Sequence, residues 1–169
     1  MAHPLVLQLR FTRSEFKRGL EGLTDEDART RVKAMNCISW NIGHLAWQEQ
    51  RYWFNRMQNK VLIPELNEKF CFGCPATTPP LAEIWEMWRT VVDASDPYLD
   101  TLTTDDLTRE FMVEGLPAPL TAGNLMQRVI YHYWYHLGES MGIRQALGHT
   151  GLAEFIGNID SEAPYQPHR

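Results

Sequence analysis

A chain of 169 residues with 44% hydrophobic and 22% charged side chains has the make-up of one globular domain. That composition excludes a disordered or collagen-like polymer, and the length is enough to bury a substantial core. Sixteen Lys and Arg against twenty-one Asp and Glu leave a formal charge of −5 with no basic stripe, which argues against nucleic acid and anionic membranes as partners.

No apolar run approaches the ~20 residues of a membrane-spanning helix. The opening MAHPLVLQLRFTR lacks the three regions of a secretory leader. Three cysteines, an odd number, do not make a disulfide framework. A reduced, cytoplasmic setting is therefore expected.

In chain order, Leu5, Leu9, Phe16 and Leu20 with charges between them predict an amphipathic helix ending near Gly19–Gly22. Thr24-Asp25-Glu26-Asp27 opens a short helix expected to run through Ala34. Ser39 is expected to cap a long helix reaching about residue 58. Residues 60–80, rich in Pro, Gly and Cys, make a connection longer than bundles usually need, so it should cross the bundle or cover one end. Pro80 suits a helix start, and Leu81, Ile84, Trp85, Trp88, Val91 and Val92 form the next apolar stripe. Leu99 and Leu102 extend it past Pro97.

Residues 103–120 are a second connection, with Thr108–Val113 extended or a short strand. Thr121 caps a last long helix that runs to about Leu147 and is punctuated by Gly148. The tail from Thr150 is expected to be loosely ordered. No repeat and no composition break divides the chain. The expected fold is all-α, a four-helix bundle with a long crossover, as one domain over 1–169.

The segment Tyr131 to Glu139 carries the chemistry. His132 and His136 stand four apart on a helix, so their Cβ atoms lie about 5–6 Å apart on one face, able to reach one cation. Tyr133 follows the first His, so the metalloprotease reading of such a pair fails. Alone, the pair reads equally well as two histidines packed among aromatics. His44, inside the second long helix, adds a third imidazole, and bundle sites are built from facing helices. His44, His132 and His136 would give a three-histidine divalent site with open positions, the coordination of catalytic rather than structural metals. Imidazole suits Zn, Ni or Fe.

Gln48 and Arg51 share the face of His44, and Glu139 shares that of His132 and His136. Glu139 could accept a hydrogen bond from an imidazole or a bound water, act as general base, or be a solvated helix residue. Arg51 is a candidate for holding an anionic group of the substrate. Gly43 and Gly138, mid-helix beside candidate ligands, suggest close approach of backbone or ligand at those levels.

Asn41-Ile42-Gly43-His44-Leu45-Ala46-Trp47-Gln48-Glu49, with Tyr131–Glu139 and Gly142-Ile143-Arg144-Gln145, resembles the DinB-like (YfiT-like) superfamily. The resemblance covers essentially the whole chain, with its motifs in helices two and four. It implies a divalent metal on the three histidines. It also implies kinship with thiol-dependent enzymes: bacillithiol transferases, mycothiol-dependent maleylpyruvate isomerases and the N-terminal part of ergothioneine sulfoxide synthases. The isomerases place Glu where His132 stands. The sulfoxide synthases carry His-x3-His-x-Glu and need a larger second domain, so sulfoxide synthesis is not expected.

Cys71-Phe72-Gly73-Cys74 lacks the strand–helix setting of a redox motif and the partners of a zinc site, and reads as two incidental loop cysteines. The Trp and Tyr residues fall at helical spacing, as core. The expected function is a metal-dependent, thiol-dependent S-transferase acting on a small electrophile. Metal-assisted hydrolysis and a non-catalytic metal- or ligand-binding bundle are the alternatives. A small-molecule substrate, a low-molecular-weight thiol and a homodimer are the expected partners.

Overall fold

The computed structural model describes residues 2–113, 116–154 and 156–166, with backbone alone across 111–113 and 116–119. Helix α1 (Pro4–Gly19) opens where His3 Nδ1 accepts the Leu5 N–H at 3.1 Å, with Pro4 in its first turn. It buries Val6, Leu9 and Phe16. Helix α2 (Asp25–Arg29) is capped by Thr24, whose hydroxyl accepts the Asp27 N–H at 3.1 Å. It stops short of the predicted Ala34: Thr30 is extended and Lys33 turns left-handed at φ 53°.

Helix α3 (Ile38–Glu49) begins one residue before the predicted cap, with Cys37 at the N-cap, and continues as a π-helical stretch over Gln50–Arg56. It is buried around most of its circumference, as its run of Ile, Leu and Trp requires. The long connection contains a short helix α4 (Pro64–Lys69). Gln50 ties it down: its Oε1 accepts the Ile63 N–H at 2.6 Å and its Nε2 donates to the Ile63 carbonyl at 3.0 Å.

Helix α5 (Leu81–Leu99) runs through Pro97, and α6 (Thr104–Thr108) is closed by a Thr103–Asp106 capping box. Strands β1 (Glu110–Val113) and β2 (Leu116–Thr121) pair antiparallel, Glu110 opposite Thr121 and Val113 opposite Leu116. The second connection thus holds α6 and a two-stranded antiparallel pair, attached to an otherwise mostly helical chain. Helix α7 (Ala122–Ala146) is capped by Thr121, as predicted. It ends with the His149 N–H on the Arg144 carbonyl and the Gly148 N–H on the Gln145 carbonyl, both at 3.0 Å, a closure that Gly148 at φ +88° permits.

The tail is docked rather than loose, a correction to the sequence expectation. Gly157 N–H donates to Glu15 Oε2 at 2.8 Å, and Gln8 Nε2 donates to the Ala163 carbonyl at 2.6 Å. Ala163 is buried, and a one-turn helix α8 (Ile159–Glu162) precedes it.

Helix α7 packs on α1 and α3, and α3 packs on α5. Inside the apolar core lies an ion-pair network to which the sequence analysis assigned no role. Arg13 of α1 is paired in two-pronged fashion with Glu49 of α3; Arg13 Nε donates at 2.9 Å. Arg13 also donates to Asp96 at 2.8 Å and to Ser95 at 3.0 Å, both on α5. Trp53 Nε1 and the Tyr133 hydroxyl donate to Glu49, and Trp88 Nε1 donates to the Tyr133 oxygen. Burial pulls the Arg13 guanidinium down, but Glu49 more than offsets it, so its pKa rises above the ordinary value. This network pins all four long helices together beneath the histidines.

Candidate metal centre

His44 stands in the middle of α3 with its ring stacked between two indoles. Trp40 lies 4.9 Å away with planes 14° apart, and Trp47 lies 5.2 Å away at 25°. These residues sit four before and three after His44, the spacing that shares a helix face. His44 Nδ1 is 2.7 Å from the Phe70 carbonyl oxygen. A carbonyl can only accept, so Nδ1 carries the proton and Nε2 keeps its lone pair. Gly43 permits the approach: a Cβ there would meet the Phe70 ring at 2.6 Å and Ile84 at 2.7 Å.

Helix α7 supplies the other two imidazoles. His132 Nε2 and His136 Nε2 are 3.0 Å apart. Their ring centroids lie 4.9 and 5.4 Å from that of His44. His136 Nδ1 donates to Glu139 Oε2 at 2.7 Å, and Asn41 Nδ2 donates to the same oxygen at 2.9 Å. The carboxylate therefore fixes the His136 tautomer and joins α7 to α3. All three histidines offer a ring nitrogen within 4.8 Å of one another.

The surroundings favour the neutral form of His132 and His44. Burial, then the neighbouring His136 and His44, push His132 down to about 3. Burial also lowers His44, against the opposing pull of the Phe70 carbonyl. Neutral imidazole is the form that ligates metals. His132 Nδ1 is buried without a hydrogen-bond partner among the described residues. Three imidazole nitrogens converging from two helices, two of the rings oriented through their far nitrogens, fit a divalent ion.

The structure thus brings His44, His132 and His136 together, with Glu139 beside them as the partner of His136. Arg51 is not among them. Its guanidinium lies 5.2 Å over the Trp47 ring, one aromatic layer away from His44. Gln48 Oε1 is buried without a partner among the described residues. Among the described residues no atom lies within 4 Å of a Cβ placed on Gly138, so no protein group makes the close approach expected there. Of the other histidines, His3 caps α1, His149 meets Asp27 at 3.3 Å, and His168 lies outside the described residues.

Cys71 and Cys74 are joined by a disulfide, which corrects their reading as incidental loop thiols. Gly73 at φ +84° and the Cys74 N–H on the Cys71 carbonyl at 3.0 Å fold the loop tightly. The Cα atoms come to 5.2 Å, within bridging range. The sequence reading also missed Trp40 and Phe70. The position of Trp40, one turn before His44, was a usable signal; a backbone carbonyl from a distant loop left none.

No curated protein matches the chain. The DinB superfamily family model matches residues 8–140, a span that contains His44, His132, His136 and the Glu139 that orients one of them. On that match, the chain belongs to the DinB superfamily.

Proposed function

We propose that this protein is a divalent-metal-dependent enzyme that transfers the sulfur of a low-molecular-weight thiol to a small electrophile. The observation that carries the reading is the convergence of His44, His132 and His136 within 4.8 Å, with two of the rings oriented through their far nitrogens. Zinc, nickel or iron held there supplies positive charge that favours a thiolate over a thiol.

The protein's own groups do the rest. Phe70 and Glu139 hold the Nδ1 protons of His44 and His136, so that Nε2 of each faces the centre. Glu139 is the group placed to take up a proton from an incoming nucleophile, and Asn41 keeps it in position. Arg51 would hold an anionic portion of the substrate. In support, it has no carboxylate partner among the described residues. Burial and the charges of Arg51 and Arg128 lower the pKa of Arg56, as expected where cations gather.

The long helices α1, α3, α5 and α7 form, in this reading, a single-domain four-helix bundle with a long crossover, working in the cytoplasm. Tyr131 and Tyr135, one turn apart and two-thirds exposed, make an aromatic ridge that a second copy would cover as a homodimer. Sedimentation at micromolar protein tests that dimer, and a monomer excludes it.

The central test is metal analysis of untagged wild type beside His136→Ala. The wild type should carry close to one ion per chain and the variant far less. Equal content in the two defeats the reading. Thiol consumption with a panel of small electrophiles then separates a transferase from a bundle that only binds metal.

A further inference from the structure

The two backbone groups that hold the His44 ring sit immediately on either side of the disulfide. Phe70, just before Cys71, offers the carbonyl that receives the His44 Nδ1 proton at 2.7 Å. Pro75, just after Cys74, offers the carbonyl that receives the Trp40 Nε1 proton at 3.2 Å. Trp40 in turn stacks on His44. No helix or strand spans residues 71–80, and the bridge is the covalent cross-link within the short loop that separates these two carbonyls. The loop is open to solvent, with Phe72 at its tip 88% exposed.

We propose that the Cys71–Cys74 disulfide is a redox switch on the histidine centre, closed when His44 is to be held for metal and opened by a small thiol or dithiol. The proposal rests on the metal reading above. In the opening step a reductant thiolate attacks one cysteine sulfur, the S–S bond breaks, and the other cysteine leaves as a thiolate that takes up a proton. A second reductant thiolate then attacks the reductant's own sulfur in the mixed disulfide. That frees the remaining cysteine, which is also protonated, and the reductant departs as its disulfide. Two electrons pass from two thiols to the bridge. In a reducing compartment disulfides are commonly transient and redox-sensing, the behaviour expected of this one. With the bridge open, Phe70 and Pro75 can drift apart and the His44 ring loses its fixed direction.

The test compares zinc affinity of the oxidised protein with that of protein reduced and desalted without air, using a chromophoric chelator as competitor. The oxidised form should bind about 10–100-fold more tightly, the usual effect of disturbing groups that orient a ligand. Cys71→Ser with Cys74→Ser should bind like the reduced form and no longer respond to reductant. Because that double variant could fold poorly, hydrogen exchange of residues 70–77 in the wild type gives a second readout, faster on reduction. Equal zinc affinity in both redox states overturns the switch and leaves the metal reading standing. Zinc uptake by neither form overturns the metal reading and the switch with it.

Discussion

Glu139 accepts the Nδ1 proton of His136 at 2.7 Å, one helical turn along α7. The bond makes this carboxylate an orienting partner before it is anything else. Glu139→Ala should lower metal affinity about 10–100-fold while helix content stays unchanged. Unchanged affinity with lost turnover would instead make Glu139 purely a proton carrier.

A second prediction concerns the buried pair beneath the site. Glu49→Ala leaves the Arg13 guanidinium, 3% exposed, without its principal counter-charge. The expected loss is about 3–5 kcal/mol in urea unfolding, a large part of a typical domain's stability. Arg13→Met combined with Glu49→Leu should recover part of that loss, but not all, because Tyr133 and Trp53 still lose their acceptor. A loss under about 1 kcal/mol for Glu49→Ala, the scale of a surface pair, would contradict the network's burial.

Acid should weaken the metal-free protein through the histidines. In the unfolded chain a histidine takes up its proton near 6.5 (about the usual value), whereas folded His132 resists until about 3. Between those values the unfolded chain binds more protons, so stability rises with pH. The contribution is complete above the unfolded value and is lost as pH falls toward the folded one. The urea midpoint should therefore be lower at pH 5.5 than at pH 7.5, a gap that His132→Asn narrows. A midpoint independent of pH across that interval refutes the neutral, buried cluster.

Gly43→Ala tests the closeness of Phe70. The added methyl would have to displace the Phe70 ring and Ile84, which lie 2.6 and 2.7 Å from its position. Overpacking of this kind costs about 1–3 kcal/mol. Gly138→Ala, with open space around it, should instead be neutral or stabilising, since alanine favours helices. Equal effects at the two glycines would rule out the Phe70 contact as the reason for Gly43.

The histidines were legible because their spacing is a helical property, and helices announce themselves through periodicity. His132 and His136 share a face by arithmetic alone, and His44 lies deep in a strongly apolar helix. Arg13 and Glu49 were not singled out, because a charged residue type gives no sign of burial by itself. Yet Arg13 falls four after Leu9 and three before Phe16, and Glu49 falls four after Leu45 and four before Trp53. Both lie on core-facing stripes. The end of α2 was misplaced because a left-handed turn at Lys33 leaves little trace in composition. The docked tail and the Phe70 carbonyl depend on backbone groups meeting across long sequence separations, which local patterns do not encode.

The widened turn over Gln50–Arg56 has a consequence for how this scaffold can vary. A coil bonded i to i+5 accommodates a residue beyond the α-helical count, and each residue is worth about 100° of rotation. Removing one position from that stretch would let the widened turn close to an α-helical one, leaving both His44 and the faces beyond the stretch aimed as they are. The stretch is thus a place where this scaffold can lose a residue without turning the imidazoles from their common centre.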